Sequence, residues 1–317
     1  MMSVHNGEKY IEAAVKSVLS QTYEDFEAII VDDASTDNSL NLLQSFVDER
    51  IRLICHSLRQ GLTASLISAI TQAKGYFIAR HDADDLSSPN RIEMQLAYLE
   101  SNPGYVCCGT WYNVIDSRGQ NKENEVRHPP IDYLAIMRYF GRGWNAICHG
   151  SALFRATTYT QSGGYNAGWK YAQDFDLWVR MGKLGKIANL SQELYYWRDH
   201  NESISTAHLQ DQLEAINRTL SEHLDLAELP KNDYSSEYRS FLVCAAISVN
   251  KVLTYALHNQ FNELETFLER RKALYSYILE HNRFILNQTI EYITDCYEST
   301  GGSNSSLLEL QLGRLVG

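Results

Sequence analysis

Two clusters of aspartates, each closing a short apolar run, constrain this chain more than any other feature. Ile29-Ile30-Val31 stops at Asp32-Asp33, and Tyr76-Phe77-Ile78-Ala79 runs into Arg80-His81-Asp82-Ala83-Asp84-Asp85. A short unbroken apolar run reads as a strand buried on both faces, as in a parallel sheet covered by helices. Segments of helical spacing lie between such runs. Tyr10, Ile11, Ala14, Val15, Val18 and Leu19 mark one over Tyr10–Gln21. Leu40, Leu43 and Val47 share a face over Ser39–Val47, and Ile51–Cys55 is again strand-like. Leu62, Leu66, Ala69, Ile70 and Ala73 mark a third helix, and Pro89 opens a fourth at a favourable first-turn position. The alternation predicts an α/β fold, a mostly parallel sheet flanked by helices on both faces. Ligands in such sheets bind beyond the carboxyl ends of the strands. Both acidic clusters fall at such ends.

The residue types there suggest chemistry. Carboxylates packed as Asp82-x-Asp84-Asp85 repel one another, and a bound divalent cation relieves that repulsion. All-oxygen ligands suit Mg²⁺ or Mn²⁺, which bridge protein carboxylates and a diphosphate. The plainer reading is a polar turn whose acids cap the helix opened by Pro89. At Asp32-Asp33-Ala34-Ser35 a carboxylate can accept hydrogen bonds from a base N–H or a ribose hydroxyl. Capping the Ser39 helix needs one residue, Asp37 or Ser35, and this turn offers more. Asp174 and Asp176 open a further helix; two positions apart, they do not share a face. One can face a cleft while the other is structural. His149, before Gly150, and His200, after a strand-like Leu194–Arg198, have the most suggestive neighbours among the histidines, although a lone histidine is more often structural.

Composition narrows the field. The chain has 28 basic and 39 acidic residues, a formal net charge of −11. That argues against a nucleic-acid partner held by a basic surface. An acidic protein that handles phosphates needs a metal ion at the site. The six cysteines form no CxxC pair and read as buried, reduced thiols of a cytosolic protein. No stretch reaches the ~18 apolar residues of a membrane span, and Met1–Lys9 is polar, unlike a signal peptide. The expected location is the cytoplasm, with peripheral contact at the inner face of a membrane as an option. Residues 111–172, with several glycines, predict loops and short strands, and Asp174–Leu184 predicts a helix. From 206 the pattern is helical only, over 207–224, 236–258, 262–281 and 283–298, with a Gly301–Ser306 linker. The predicted organisation is an α/β domain over 1–205 and an α-helical C-terminal region over 206–317.

Several ordered motifs carry a resemblance. Ser3-Val4-His5-Asn6-Gly7-Glu8-Lys9-Tyr10-Ile11, Ser20-Gln21-Thr22-Tyr23-Glu24-Asp25-Phe26-Glu27 and Val31-Asp32-Asp33-Ala34-Ser35-Thr36-Asp37 come first. Gly61-Leu62-Thr63, Ala73-Lys74-Gly75-Tyr76-Phe77-Ile78-Ala79-Arg80, Asp82-Ala83-Asp84-Asp85, Pro89-Asn90-Arg91 and Gln173-Asp174-Phe175-Asp176-Leu177-Trp178 follow. Over residues 2–205 the chain resembles family 2 glycosyltransferases. The resemblance implies the Rossmann-like GT-A fold and inverting transfer of a sugar from a nucleotide-diphospho-sugar to a hydroxyl of a glycan or lipid-linked acceptor. The product would be a polysaccharide or other glycoconjugate. It implies that Ser3 and Asp33 contact the nucleoside, with Asp32 adjacent. Asp82 and Asp84 become the DxD pair contacting ribose and metal, with Asp85 as the closer metal ligand. Asp174 matches the catalytic base, and His200 a histidine that approaches the metal or diphosphate.

Two departures stand out. Almost nothing precedes Ser3-Val4-His5-Asn6, where such proteins carry an apolar first strand, so that strand is expected to be missing or shortened. Gln173 stands where an acidic residue often precedes the base. Rival readings are a metal-dependent nucleotidyltransferase, for which no Gly-rich basic loop is present, and a nucleotide-sugar-binding protein without activity. A dinucleotide oxidoreductase is disfavoured, because no GxGxxG follows an early strand. Arg270-Arg271-Lys272 reads as a solvated helix face, or as a contact for a lipid-linked acceptor at an anionic membrane.

Overall fold

A computed structural model describes residues 1–141 and 144–200, and helical backbone at 211–212, 215–216 and 218–219. Apart from those last positions, the expected C-terminal helices lie outside the described residues. So do the Gly301–Ser306 linker, the basic triplet at 270–272, Cys244 and Cys296. The chain divides into two compact units, one of Met1–Ile136 with Asn145–Ile216 and one of Met137–Trp144 with Asn217–Gly317. In the second, the Trp144 N–H donates to the Tyr139 carbonyl at 3.0 Å and the two rings meet edge-on. The candidate site belongs to the first.

The first unit opens with β1 (Met2–Val4), α1 (Ile11–Leu19), β2 (Ala28–Asp32), α2 (Ser39–Gln44), β3 (Ile51–Cys55) and α3 (Leu62–Thr71). Strands β1, β2 and β3 are neighbours in one parallel sheet. All five residues of β2 are buried, as its apolar run requires. One face packs on α1 through Ile30 with Ile11, Ala14 and Val15. The other packs on α3 through Ile29 and Val31 with Ala69. Then come β4 (Phe77–Ala79), β5 (Leu86–Ser87), α4 (Arg91–Ser101), β6 (Tyr105–Ile115), β7 (Asn121–Arg127) and α5 (Tyr133–Gly141), whose residues from Met137 on belong to the second unit. After a single 3₁₀ turn, β8 (Leu153–Arg155), α6 (Ala156–Gln161), α7 (Gln173–Leu184) and β9 (Lys186–Arg198) complete the order. The second sheet runs β4-β8-β6-β9-β5, with β7 on β6. Only β6 and β9 are parallel there; the other pairs are antiparallel.

The first strand is short but in place. The Met1 nitrogen donates to the Ala79 carbonyl at 2.7 Å and the His81 N–H to the Met1 carbonyl at 3.1 Å, so β1 lies between β2 and β4. Beyond its start a cavity of about 600 Å³ opens between those strands, lined by Met1, Ala28, Ile30, Phe77, Ile78 and Leu96 among others. Apolar residues added ahead of Met1 in an extended strand should enter it. Burying one such side chain stabilises by roughly 1.5–3 kcal/mol, and each kcal/mol is about 2–4 °C in a domain of this size. Thermal unfolding of an extended chain should therefore show a raised midpoint; an unchanged one would mean the cavity does not accept a strand.

Elsewhere the structure corrects the expectations. Helix α2 ends at Gln44, and Val47 is fully exposed rather than on a buried face. The Ser45 hydroxyl bonds back to the Leu42 carbonyl, an alternative to continuing the helix. Residues 111–172 are more regular than their glycines suggested. They hold the last five residues of a long strand, β6, its hairpin with β7, strand β8, and helices α5 and α6. Cys107 and Cys108 are buried as expected, but Cys55 is exposed.

Candidate active site

The turns after β1 and β2 are built as one piece. Asn6 adopts a left-handed conformation, its N–H donating to the Ser35 hydroxyl and its side-chain oxygen accepting from the Thr36 N–H. The Gly7 N–H donates to Ser39 Oγ at 2.8 Å and the Glu8 N–H to Asp37 Oδ2 at 3.0 Å. Glu8 returns the contact by accepting from the Asn38 N–H. Ser3 is half-buried in β1, paired in the ladder with Val31.

Asp32 and Asp33 are both buried. Asp32 accepts from the Ser35 N–H, and its other oxygen has no protein partner. Asp33 anchors the turn that leads into α3. Its carboxylate accepts from the Gln60 N–H at 2.8 Å, the Gly61 N–H at 2.7 Å and the His56 ring at 2.9 Å. Gly61 makes this approach at a φ of 91°, which a side chain would disfavour. Burial opposes ionisation of Asp33, but the three hydrogen bonds outweigh it and hold the pKa below the ordinary carboxylate value.

The second acidic turn, after β4, is gripped by β9. Arg198 donates its backbone N–H to Asp85 Oδ1 at 2.7 Å and its guanidinium to the Asp84 carbonyl at 2.6 Å. Asp85 is 1% exposed, and its second oxygen has no hydrogen-bond partner. Burial, then the charges of Asp84 and Asp82, push its pKa well up. Asp84 is partly exposed and its carboxylate lies 2.8 Å from His200 Nε2. His200 also rests on the Tyr10 ring, with centroids 5.1 Å apart. Asp82 bonds Arg80 through Oδ1 at 2.6 Å, and its N–H donates to the Tyr195 hydroxyl. Burial and the Asp84 charge raise the Asp82 pKa, with Arg80 opposing.

Asp174 lies in the first turn of α7, where the helix N-terminus favours a carboxylate. It accepts from the Asn145 side chain. Burial dominates its titration and, with the Asp82 charge adding, leaves its pKa raised. Asp176 turns the other way: it is 1% exposed and pairs with Arg180, which also holds the Ser162 and Gly164 carbonyls. The two aspartates therefore separate as their spacing requires. His149 contacts the Tyr165 hydroxyl at 2.8 Å and the Trp178 ring, and burial together with the Arg80 charge pushes its pKa well down. Its contacts are those of a packed ring rather than of a metal ligand.

The structure adds residues that spacing did not single out: Arg80, Asn145, Gly150 and Tyr195. Gly150 is the tightest. A Cβ there would lie 2.0 Å from the Tyr195 hydroxyl and 2.7 Å from Asp82 Oδ2. Its place beside His149 was the available signal.

The fold, with acidic turns at its strand ends, is of the GT-A class. The profile described as "Glycosyl transferase family 2" matches residues 1–174, more than half of the chain. The chain belongs to that family. It is 34% identical over 209 residues to the "Putative glycosyltransferase EpsE" of Bacillus subtilis (strain 168), covering 64% of this chain and 73% of that protein. It is 30% identical over 211 residues to the "O-antigen biosynthesis glycosyltransferase WbnJ" of Escherichia coli, covering 64% of this chain and 80% of that one. The crystal structure of S. aureus TarS 1–349 in complex with UDP-GlcNAc superposes with a TM-score of 0.67 at 16% identity, over 87% of this chain and 80% of that one. That likeness shows the fold.

Proposed function

We propose that the chain transfers a sugar, with inversion, from a nucleotide-diphospho-sugar to an acceptor hydroxyl. The observation that carries this reading is the acidic turn after β4, where Arg198 holds Asp85 and the Asp84 carbonyl and His200 lies 2.8 Å from the Asp84 carboxylate. The nucleoside end of the donor lies against Ser3, Asp32 and Asp33, where Asp32 keeps an oxygen without a protein partner. Asp82 and Asp84 meet the ribose and diphosphate end. Asp174 takes the acceptor proton as the oxygen attacks from the face opposite the leaving group. Asn145 fixes the orientation of that carboxylate.

The donor set fits a divalent cation. The Asp84 carboxylate and the His200 imidazole converge within 2.8 Å, and Asp85 keeps a second oxygen without a partner. Among the described residues no three His, Cys, Asp or Glu side chains converge on one point. One or two protein ligands completed by substrate phosphates are the usual arrangement for Mg²⁺ and Mn²⁺. When bound, such an ion stabilises the charge of the leaving diphosphate.

The acceptor is a glycan or a lipid-linked saccharide, and the product a polysaccharide, a reading supported by WbnJ's described role in O-antigen biosynthesis. No helix among the described residues is long and apolar enough to cross a membrane. A cytoplasmic enzyme meeting its acceptor at the membrane surface accords with that. Residues 1–205 form the transferase domain in this reading and 206–317 a helical region beside it.

Calorimetric titration of UDP, GDP and dTDP, with and without Mn²⁺, tests the donor site. One nucleotide should bind, and bind more tightly with the ion; no binding by any of them would overturn the proposal. Product anomer analysis then tests inversion.

A further inference from the structure

Arg80 is 0% exposed, directly after β4 and behind the acidic turn. An interior guanidinium is costly unless paired and hydrogen-bonded. This one bonds the His81 carbonyl and Asp82 Oδ1, the latter at 2.6 Å, and its Nε has no partner. Its own side chain is fully buried, whereas that of its partner Asp82 is 30% exposed.

Three contacts fix Asp82, one at its backbone and two at its carboxylate. Arg80 takes Oδ1 from behind. The Tyr195 hydroxyl accepts the Asp82 N–H at 3.1 Å. Gly150 leaves only the space that Oδ2 occupies, as a Cβ at that position would come within 2.7 Å of it. A second buried arginine, Arg91, fixes both walls through the Arg80 carbonyl at 3.2 Å and the Ser151 carbonyl at 3.1 Å. The result is one committed carboxylate oxygen and one free oxygen in a set direction.

We propose that Arg80 is a positioning residue for donor binding, acting through Asp82 by fixing which carboxylate oxygen faces the ligand. The inference rests on the reading of Asp82 as a donor contact. A planar fork suits this task and a lysine ammonium does so only in part, since it delivers the charge without setting the carboxylate plane.

The test is a double-mutant cycle read by calorimetric binding of UDP, GDP and dTDP with Mn²⁺, on chains whose folding is checked by circular dichroism and thermal unfolding. Asp82→Asn and Arg80→Gln should each weaken the bound nucleotide by about tenfold, the scale of a lost hydrogen bond to a charged group. Arg80→Lys should recover part of the loss. In the Asp82→Asn background Arg80→Gln should add nothing, since both changes remove the same contact. Wild-type binding by folded Arg80→Gln, or losses that multiply in the double variant, would overturn the inference alone. Wild-type binding by Asp82→Asn would overturn both it and the donor reading of Asp82. Should Arg80→Gln fail to fold, Arg80→Lys carries the cycle with the same criteria.

Discussion

Asp174→Asn is expected to slow sugar transfer by about 10²–10⁴-fold, the usual contribution of a positioned general base, while nucleotide affinity stays at the wild-type level. The amide keeps the size of the carboxylate and can still accept from Asn145. What it loses is the ability to take a proton. Single-turnover transfer and calorimetric binding, measured on the same preparation, separate these effects. Equal losses in both would place Asp174 in donor binding, and no loss in either would remove it from both roles; nucleotide binding without transfer by the wild-type chain would support a binding protein without activity.

The raised pKa of Asp174 makes this prediction sharper. Protonation removes the base at a pH above the ordinary carboxylate range, so the wild-type rate should fall on the acid side earlier than a free carboxylate would dictate. Stability moves in the opposite sense. A folded-state pKa above the unfolded one means that the native chain holds this proton more tightly. The ionised group therefore disfavours folding once pH rises past the unfolded value. Asp174→Asn escapes that penalty, and its thermal midpoint at neutral pH should equal or exceed the wild-type value.

Gly150→Ala should be nearly as damaging to transfer through a different cause. The added methyl would sit 2.0 Å from the Tyr195 hydroxyl and 2.7 Å from Asp82 Oδ2, so something must move. Tyr195 is fully buried, with its ring edge-on to His81 and beneath the Arg91 guanidinium, and has little room to retreat. Asp82 is the more exposed partner and should shift. Misplacement by about 1 Å costs on the order of 10²-fold in rate, and overpacking typically costs about 1–3 kcal/mol in stability. Donor KM should rise together with the fall in kcat. A folded variant with wild-type kinetics would show that the cleft tolerates movement of Asp82.

The parallel half of the fold was legible because its strands are buried on both faces and its helices carry a clean apolar stripe. Ile29-Ile30-Val31 and the Ile11, Ala14, Val15 face are examples. The second sheet was not. Strand β6 is buried at Val106–Thr110 and again at Asn113–Ile115, with Trp111 and Tyr112 half-exposed between them, so it shows neither alternation nor an unbroken run. Its neighbour β9 shifts register twice against its middle, which disrupts a period-two pattern further. The site divides in the same way. Asp82, Asp84 and Asp174 stood out as aspartates at element ends. Arg80, Gly150 and Tyr195 act through tertiary approach, and nothing in their local spacing announces it. The sequence could say that Asp174 and Asp176 face apart; only packing shows that Asp176 is the one bound to Arg180.

The reciprocal bonding between the turns after β1 and β2 bears on any attempt to redirect the enzyme to another nucleotide. Asn6, Gly7 and Glu8 each contact a partner within residues 35–39, and Glu8 both gives and receives. Exchanging residues 32–39 alone for those of a relative would mismatch the contacts of three residues about thirty positions upstream. Exchanging the upstream triplet alone would do the same in reverse. The two stretches behave as a single cassette, and a graft of base preference should carry both or neither.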